Sequence, residues 1–228
     1  MPSSFHERTI PAAGALLRVR TYRPSSAQAE LGGLVFFHAG DAESATHDAL
    51  CRQLSLASGC VIAACDYRPR FPNAPDDAYF AACYVHEHAD DFGIDHRRLG
   101  VGGVDLGAGL ATTVARLAKE RRNPPLVLQL LIAPRLDLRD GHAPDYATAA
   151  EREDPRCSPI LAKNLIGLPP AWIAYGGDGP LTLQAKAYAE RLREVQGLST
   201  AWRFDETLPE QLVRECGRAL ERLAVAGG

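Results

Sequence analysis

The sequence predicts an α/β fold, a mostly parallel, twisted sheet with helices on both faces. Short apolar runs alternate with helix-length amphipathic segments along most of the chain. Those runs are near-continuous in Leu, Val, Ile and Phe, as strands covered on both faces require. No Gly/Ser- or Pro-rich tract divides the 228 residues, so a single domain over 1–228 is expected.

The elements follow in order. Residues 16–22 read as the opening strand. Residues 34–37, Leu-Val-Phe-Phe, form a short buried strand after Gly32-Gly33. Residues 46–58 carry Leu50, Leu54 and Ala57 at helical spacing and stop at Gly59. A second apolar run covers 60–65, and 76–92 reads as one long helix ending before Gly93. A strand at 99–102, a helix at 106–121 and a strand at 126–132 come next. Residues 135–167 lack periodicity and are rich in Asp, Ala and Pro, which suits an excursion over the C-terminal edge of the sheet. A strand at 171–175, a helix at 181–196, a strand at 200–204 and a helix at 209–226 complete the chain.

Composition excludes several function classes. Hydrophobic residues make up 46% and charged residues 23%, and the net charge is −3 from 25 basic and 28 acidic residues. No basic surplus points to nucleic acid or a membrane surface. The longest apolar run, 126–134, is far too short to span a bilayer, and residues 1–8 hold no apolar signal core. Six cysteines at 51, 60, 65, 83, 157 and 216 form no CxxC pair. They are expected to be reduced and mostly buried in a cytoplasmic protein. No cofactor motif and no metal site is expected. His86-Glu87-His88 reads as a solvated helix face, because residues two apart on a helix face different ways.

Specific motifs sharpen the picture. Residues 98–111 contain Gly103-Val104-Asp105-Leu106-Gly107 between a strand and a helix. Phe36-Phe37-His38-Ala39-Gly40 ends an earlier strand. Asp66-Tyr67-Arg68, Phe71-Pro72, Asp76-Asp77-Ala78-Tyr79, Gly93-Ile94-Asp95, Ser158-Pro159-Ile160 and Gly167-Leu168-Pro169-Pro170-Ala171 follow in order. Together these motifs resemble the hormone-sensitive-lipase-like esterases of the α/β-hydrolase superfamily, over about residues 10–204. The resemblance implies a single α/β-hydrolase domain with a reduced or absent cap and lid. It also implies a hydrolase or esterase label, and a homodimer paired through an edge strand.

The chemistry departs from that resemblance at each catalytic position. The family's elbow reads G-x-S-x-G, with a sharp turn presenting a serine hydroxyl; here Asp105 takes the serine's place. The family's acid position falls at Gly179, with Asp178 one residue early. The base, a histidine after the last strand, is missing, since all seven histidines lie at or before His142. The oxyanion loop has shrunk to His38-Ala39-Gly40-Asp41.

The candidate catalytic residues are therefore Asp105, His38 and Asp178, with Gly40 and Leu106 as the oxyanion-hole equivalents. Asp105 reads either as a carboxylate nucleophile or as a helix N-cap, and N-capping is the commoner use. His38 reads as structural, within reach of Asp105. Asp178 reads as a turn former or a displaced acid. Ser44 and Ser158 lie off any elbow, and Asp66-Tyr67-Arg68 is expected to hold a loop. The functional expectation is a pseudoenzyme that has lost serine-esterase catalysis and binds a small organic ligand beside Asp105, or acts as a scaffold. Repurposed chemistry at the same place (an Asp105-dependent hydrolase, a lyase or an isomerase) is the first alternative, and an esterase with a relocated base the second.

Overall fold

A computed structural model describes residues 4–12, 14–25, 30–39, 45–141, 143, 145–196, 199–204 and 209–225. Eight strands are β1 (Ser4–Ala12), β2 (Ala15–Arg23), β3 (Leu31–Phe37), β4 (Val61–Cys65), β5 (Ile94–Val104), β6 (Gln129–Ile132), β7 (Ala171–Tyr175) and β8 (Thr200–Arg203). Six helices are α1 (Ala45–Ser58), α2 (Asn73–Glu87), α3 (Ala89–Phe92), α4 (Leu106–Arg121), α5 (Pro180–Gln196) and α6 (Pro209–Val225). The strands form one sheet in the order β1-β2-β4-β3-β5-β6-β7-β8. β1 and β2 pair antiparallel, as do β2 and β4, and all later pairings are parallel.

Alternation along the strands sorts the apolar residues into two cores. Leu34, Phe36, Ile62, Leu128 and Leu130 face α1 and α6, where Cys51, Leu54, Cys216, Leu220 and Leu223 complete one core. Val35, Phe37, Ala63, Val101, Leu131 and Ile173 face α2, α4 and α5 and form the larger core. Strands β3 and β4 are buried at every residue, which explains their continuous apolar runs. All six cysteines are free thiols, and five are buried. No helix among the described residues is long and apolar enough to cross a membrane.

Several boundaries differ from expectation: the strand expected at 34–37 begins at Leu31, and the one expected at 99–102 runs from Ile94 to Val104. The strand read as the opening one is the second, because β1 precedes it as the outer strand of a hairpin. β1 buries only Ile10 fully, so it carries no strong apolar alternation. The helix expected over 76–92 starts at Asn73 and breaks at His88, which leaves helical geometry (φ −115°, ψ 31°) and stacks its ring on Tyr84 at 4.0 Å. The four-residue α3 follows and ends at Gly93 in the left-handed region, φ 66°. The strand expected from 126 begins at Gln129. Residues 126–128 run beside β5 on isolated hydrogen bonds, Val127 N–H to Leu99 O and Leu128 O from Val101 N–H, each 3.0 Å.

The described residues within 135–167 cross the C-terminal edge of the sheet with two short 3-10 turns, Glu151–Glu153 and Pro159–Leu161. Beyond this excursion no helical layer covers that edge among the described residues, in keeping with a reduced lid.

Candidate functional site

The C-terminal ends of β3, β5, β6 and β7 bring the candidate residues to one edge of the sheet. β5 ends at Val104 and α4 begins at Leu106, so Asp105 alone makes the turn. Its backbone sits at φ 52° and ψ −118°, a conformation that L residues rarely adopt. Close packing enforces this turn. A Cβ on Gly103 would stand 2.6 Å from Phe37 O, and one on Gly107 2.5 Å from His38 O. Only glycine lets β5 and α4 approach the end of β3 so closely. The Asp105 carbonyl accepts from the Ala108, Gly109 and Arg135 N–H groups at 3.1, 3.2 and 3.1 Å, and its own N–H donates to Ile132 O at 3.0 Å.

The side chain of Asp105 makes no capping hydrogen bond, which corrects the N-cap reading. With this backbone the carboxylate is carried away from the first-turn N–H groups. It is taken instead by Arg135: Nε donates to Oδ1 at 2.6 Å and Nη2 to Oδ2 at 3.3 Å. The guanidinium side chain is 15% exposed and the carboxylate 32%. Arg135 reaches the elbow because the chain turns sharply after β6 at Ala133, φ 44°. Three non-glycine residues among those described have positive φ, and two of them, Asp105 and Ala133, shape this one spot. Sequence reading placed Arg135 only at the start of the excursion. The available signal was its position three residues past β6, at the edge where such sheets carry their sites.

His38 does not approach Asp105 by hydrogen bond. It is 3% exposed, and its Nε2 lies 3.3 Å from Asp66 Oδ1. Its ring stacks between Tyr67, at 5.3 Å, and His47, at 5.5 Å, and Tyr67 OH donates to the His38 carbonyl at 2.7 Å. Asp66 also binds Arg18 Nε at 2.8 Å and Arg20 Nη2 at 3.2 Å. Burial pushes the Asp66 carboxyl up, but the His38 hydrogen bond and the two guanidinium groups outweigh it, so the group is held below the usual carboxylate range. The expected loop-holding role of Asp66-Tyr67-Arg68 is visible here, with Arg68 clamped on buried Asp77 at 2.7 and 2.8 Å.

Asp178 lies at the end of β7 but is 84% exposed, and pairs with Arg203 at 3.2 Å. Leu106 opens α4, so its N–H has no intrahelical acceptor. Gly40 and Ser44 lie outside the described residues. Ser158 is fully buried, and its Oγ accepts from Leu138 N–H at 3.1 Å, a structural bond. The structure thus joins Asp105 to Arg135 and His38 to Asp66. It leaves Asp178 in solvent.

Comparisons with known proteins agree with this fold. The family model described as alpha/beta hydrolase fold matches residues 34–208. The carboxylic ester hydrolase LipN of Mycobacterium tuberculosis is 35% identical over 223 residues, covering 81% of this chain and 58% of that protein. The ethyl acetate hydrolase of Pseudomonas putida is 34% identical, covering 79% of this chain and 67% of its own length. Among solved structures, a thermostable esterase from Pseudomonas putida superimposes with a TM-score of 0.90 at 30% identity, covering 99% of this chain and 85% of the other. An esterase from Pyrobaculum calidifontis gives 0.87 at 28% identity, covering 98% and 87%. The chain spans 58% and 64% of the first two curated relatives, LipN and the Mycobacterium tuberculosis esterase LipI.

Proposed function

This chain belongs to the alpha/beta hydrolase fold family, and we propose that it is a member without serine-esterase catalysis, a pseudoenzyme that binds a small organic ligand at the inherited site or serves as a scaffold. One observation carries this reading: the residue at the elbow is an aspartate whose two carboxylate oxygens are held by Arg135. A hydroxyl nucleophile is missing. The carboxylate that replaces it has lone pairs committed to a charge-assisted pair, which lowers its reactivity toward an electrophilic carbon. The general base is missing too. No histidine follows position 142 in the sequence, and the one at the neighbouring strand end, His38, has its Nε2 engaged with Asp66.

The rival reading is repurposed chemistry through Asp105. What favours it is the retained backbone strain at the elbow, since strained non-glycine residues gather at functional sites. One assay separates the two readings. Hydrolysis of p-nitrophenyl acetate by the purified chain is expected at background, unchanged in Asp105→Ala. Robust turnover that disappears in Asp105→Ala establishes the rival. A thermal-shift screen of small organic compounds then separates a ligand binder from a scaffold, because a ligand that binds only the folded state raises the melting temperature.

A further inference from the structure

At the opposite end of α4 from Asp105, a small cleft has no part in the reading above. It measures about 230 Å³. One wall is the end of α4, where Ala115, Ala118, Lys119 and Arg122 follow at helical spacing and so share a face. The facing wall is Pro124, Pro125 and Leu126 with Pro169. The helix is 16 residues long, which puts the cleft about 24 Å from the elbow at the usual rise.

The α4 face changes character along its length. Ala115 and Ala118 are too short to fill the space in front of the proline wall, and Gly167, at φ 74°, adds no side chain to it. Prolines carry no N–H, so this part offers hydrocarbon and little else. Lys119 and Arg122 come next. A helix C-terminus favours such basic residues, but it does not account for an apolar slot beside them. Among the described residues neither side chain has an ion-pair partner. No acidic side chain lines the cleft, and the neighbouring Glu120 is taken by Arg116 at 2.7 Å. Like charges on one helix face repel, so an anion between them relieves that repulsion. Both walls are already held in place. Gln129 Nε2 donates to Pro169 O at 2.8 Å, Asn123 N–H to Ala118 O at 3.0 Å, and Tyr79 OH to Asn123 O at 2.8 Å. A preformed cleft loses little affinity to its own ordering.

We propose that this cleft binds a small aryl carboxylate, with its ring between α4 and the prolines and its carboxylate between Lys119 and Arg122. An apolar cavity of about 150 Å³ engineered into another protein takes up benzene. A volume of about 230 Å³ therefore admits one ring and leaves room for the anion at the mouth. Apolar walls with a few charged groups at one end fix such a ligand's orientation. A flat ring brings apolar area with few rotatable bonds, so it loses little freedom on binding, which favours an aryl body over a flexible alkyl chain.

The test titrates phenylacetate into the ¹⁵N-labelled full chain. Binding is expected with a Kd of about 1 mM. It should move the amide signals of Ala115, Ala118, Lys119 and Gly167 and leave those of Leu106 and Gly107 in place. 2-Phenylethanol keeps the ring without the charge, and phenethylamine reverses the charge; both are expected to bind roughly fivefold more weakly or worse. The double variant Lys119→Gln/Arg122→Gln should melt within about 2 °C of wild type. It should lose roughly the same factor for phenylacetate while 2-phenylethanol binds it unchanged, a split that a merely disturbed fold would not give. Absence of saturable shifts at about twenty times the expected Kd overturns the proposal. So do shifts centred on Leu106 and Gly107, 2-phenylethanol binding as tightly as phenylacetate, or phenylacetate affinity undiminished in the double variant.

Discussion

Removing Arg135 is the most informative perturbation of the elbow. Exposed ion pairs contribute at most about 1 kcal/mol, whereas breaking a buried pair costs about 3–5 kcal/mol. The Arg135–Asp105 pair lies between these limits, with side chains 15% and 32% exposed and a bidentate geometry of 2.6 and 3.3 Å. A coupling energy of about 1–2 kcal/mol is therefore expected in a cycle of Arg135→Ala, Asp105→Ala and the double variant. In a domain of this size each kcal/mol moves the midpoint by about 2–4 °C, so Arg135→Ala should melt roughly 2–8 °C below wild type. Urea titration of all four proteins measures the coupling, and ester turnover is assayed on the same samples. Arg135→Ala frees the Asp105 carboxylate but supplies no base, so p-nitrophenyl acetate hydrolysis should stay at background. Single-variant effects that add to within about 0.3 kcal/mol would show that the pair is not an energetic unit. Turnover that appears on removing Arg135 would show that the guanidinium was restraining a competent nucleophile, and would refute the pseudoenzyme argument.

Four further outcomes follow from the same geometry. Asp105→Gly should be more stable than Asp105→Ala by about 1 kcal/mol in urea, since both lose the ion pair but only glycine accepts φ 52° without strain. Gly107→Ala should destabilise by about 3 kcal/mol or more, because its Cβ would press on the Phe37 and His38 carbonyl groups, which the sheet holds in place. The Asp66 carboxyl is lowered in the folded state, so its contribution is fully present above the unfolded carboxylate value near 4 and is lost as pH falls below it; urea midpoints from pH 7 to pH 3 should fall more steeply in wild type than in Asp66→Asn. Asp105→Ser alone should leave ester hydrolysis at background, because a nucleophile without its base gains little; activity well above wild type would point to His38 as the base.

Most of the sheet was legible because burial on both faces writes itself as continuous apolar runs. α4 and β7 match their expected bounds residue for residue. β1 was not legible: a strand exposed on most of its length needs no apolar alternation, and its partner β2 supplies the pairing. The break at His88 was also hidden, since residues 89–92 continue a helix and the interruption is made by one residue's backbone. At the site, the sequence showed which positions had changed but not what the changed residues bind. Ion-pair partners such as Arg135 for Asp105, or Arg18 and Arg20 for Asp66, are 30 to 48 residues away in the chain. Charged residues of that kind carry no periodic signal.

The shape of the elbow and the side chain at its tip are specified by two different sets of residues. Its backbone is fixed by Gly103 and Gly107 against the end of β3, and by hydrogen bonds from Ala108, Gly109 and Arg135 to the Asp105 carbonyl. None of these contacts uses the side chain at position 105. Replacing a hydroxyl by a carboxylate therefore leaves the turn intact, and the new charge needs only a partner to be tolerated near the sheet edge. Arg135 is that partner, and its backbone N–H was already bonded to the turn. A guanidinium at this position neutralises the carboxylate and engages both of its oxygens. The same contact that lets the aspartate reside at the turn is thus the one that argues against its acting as a nucleophile.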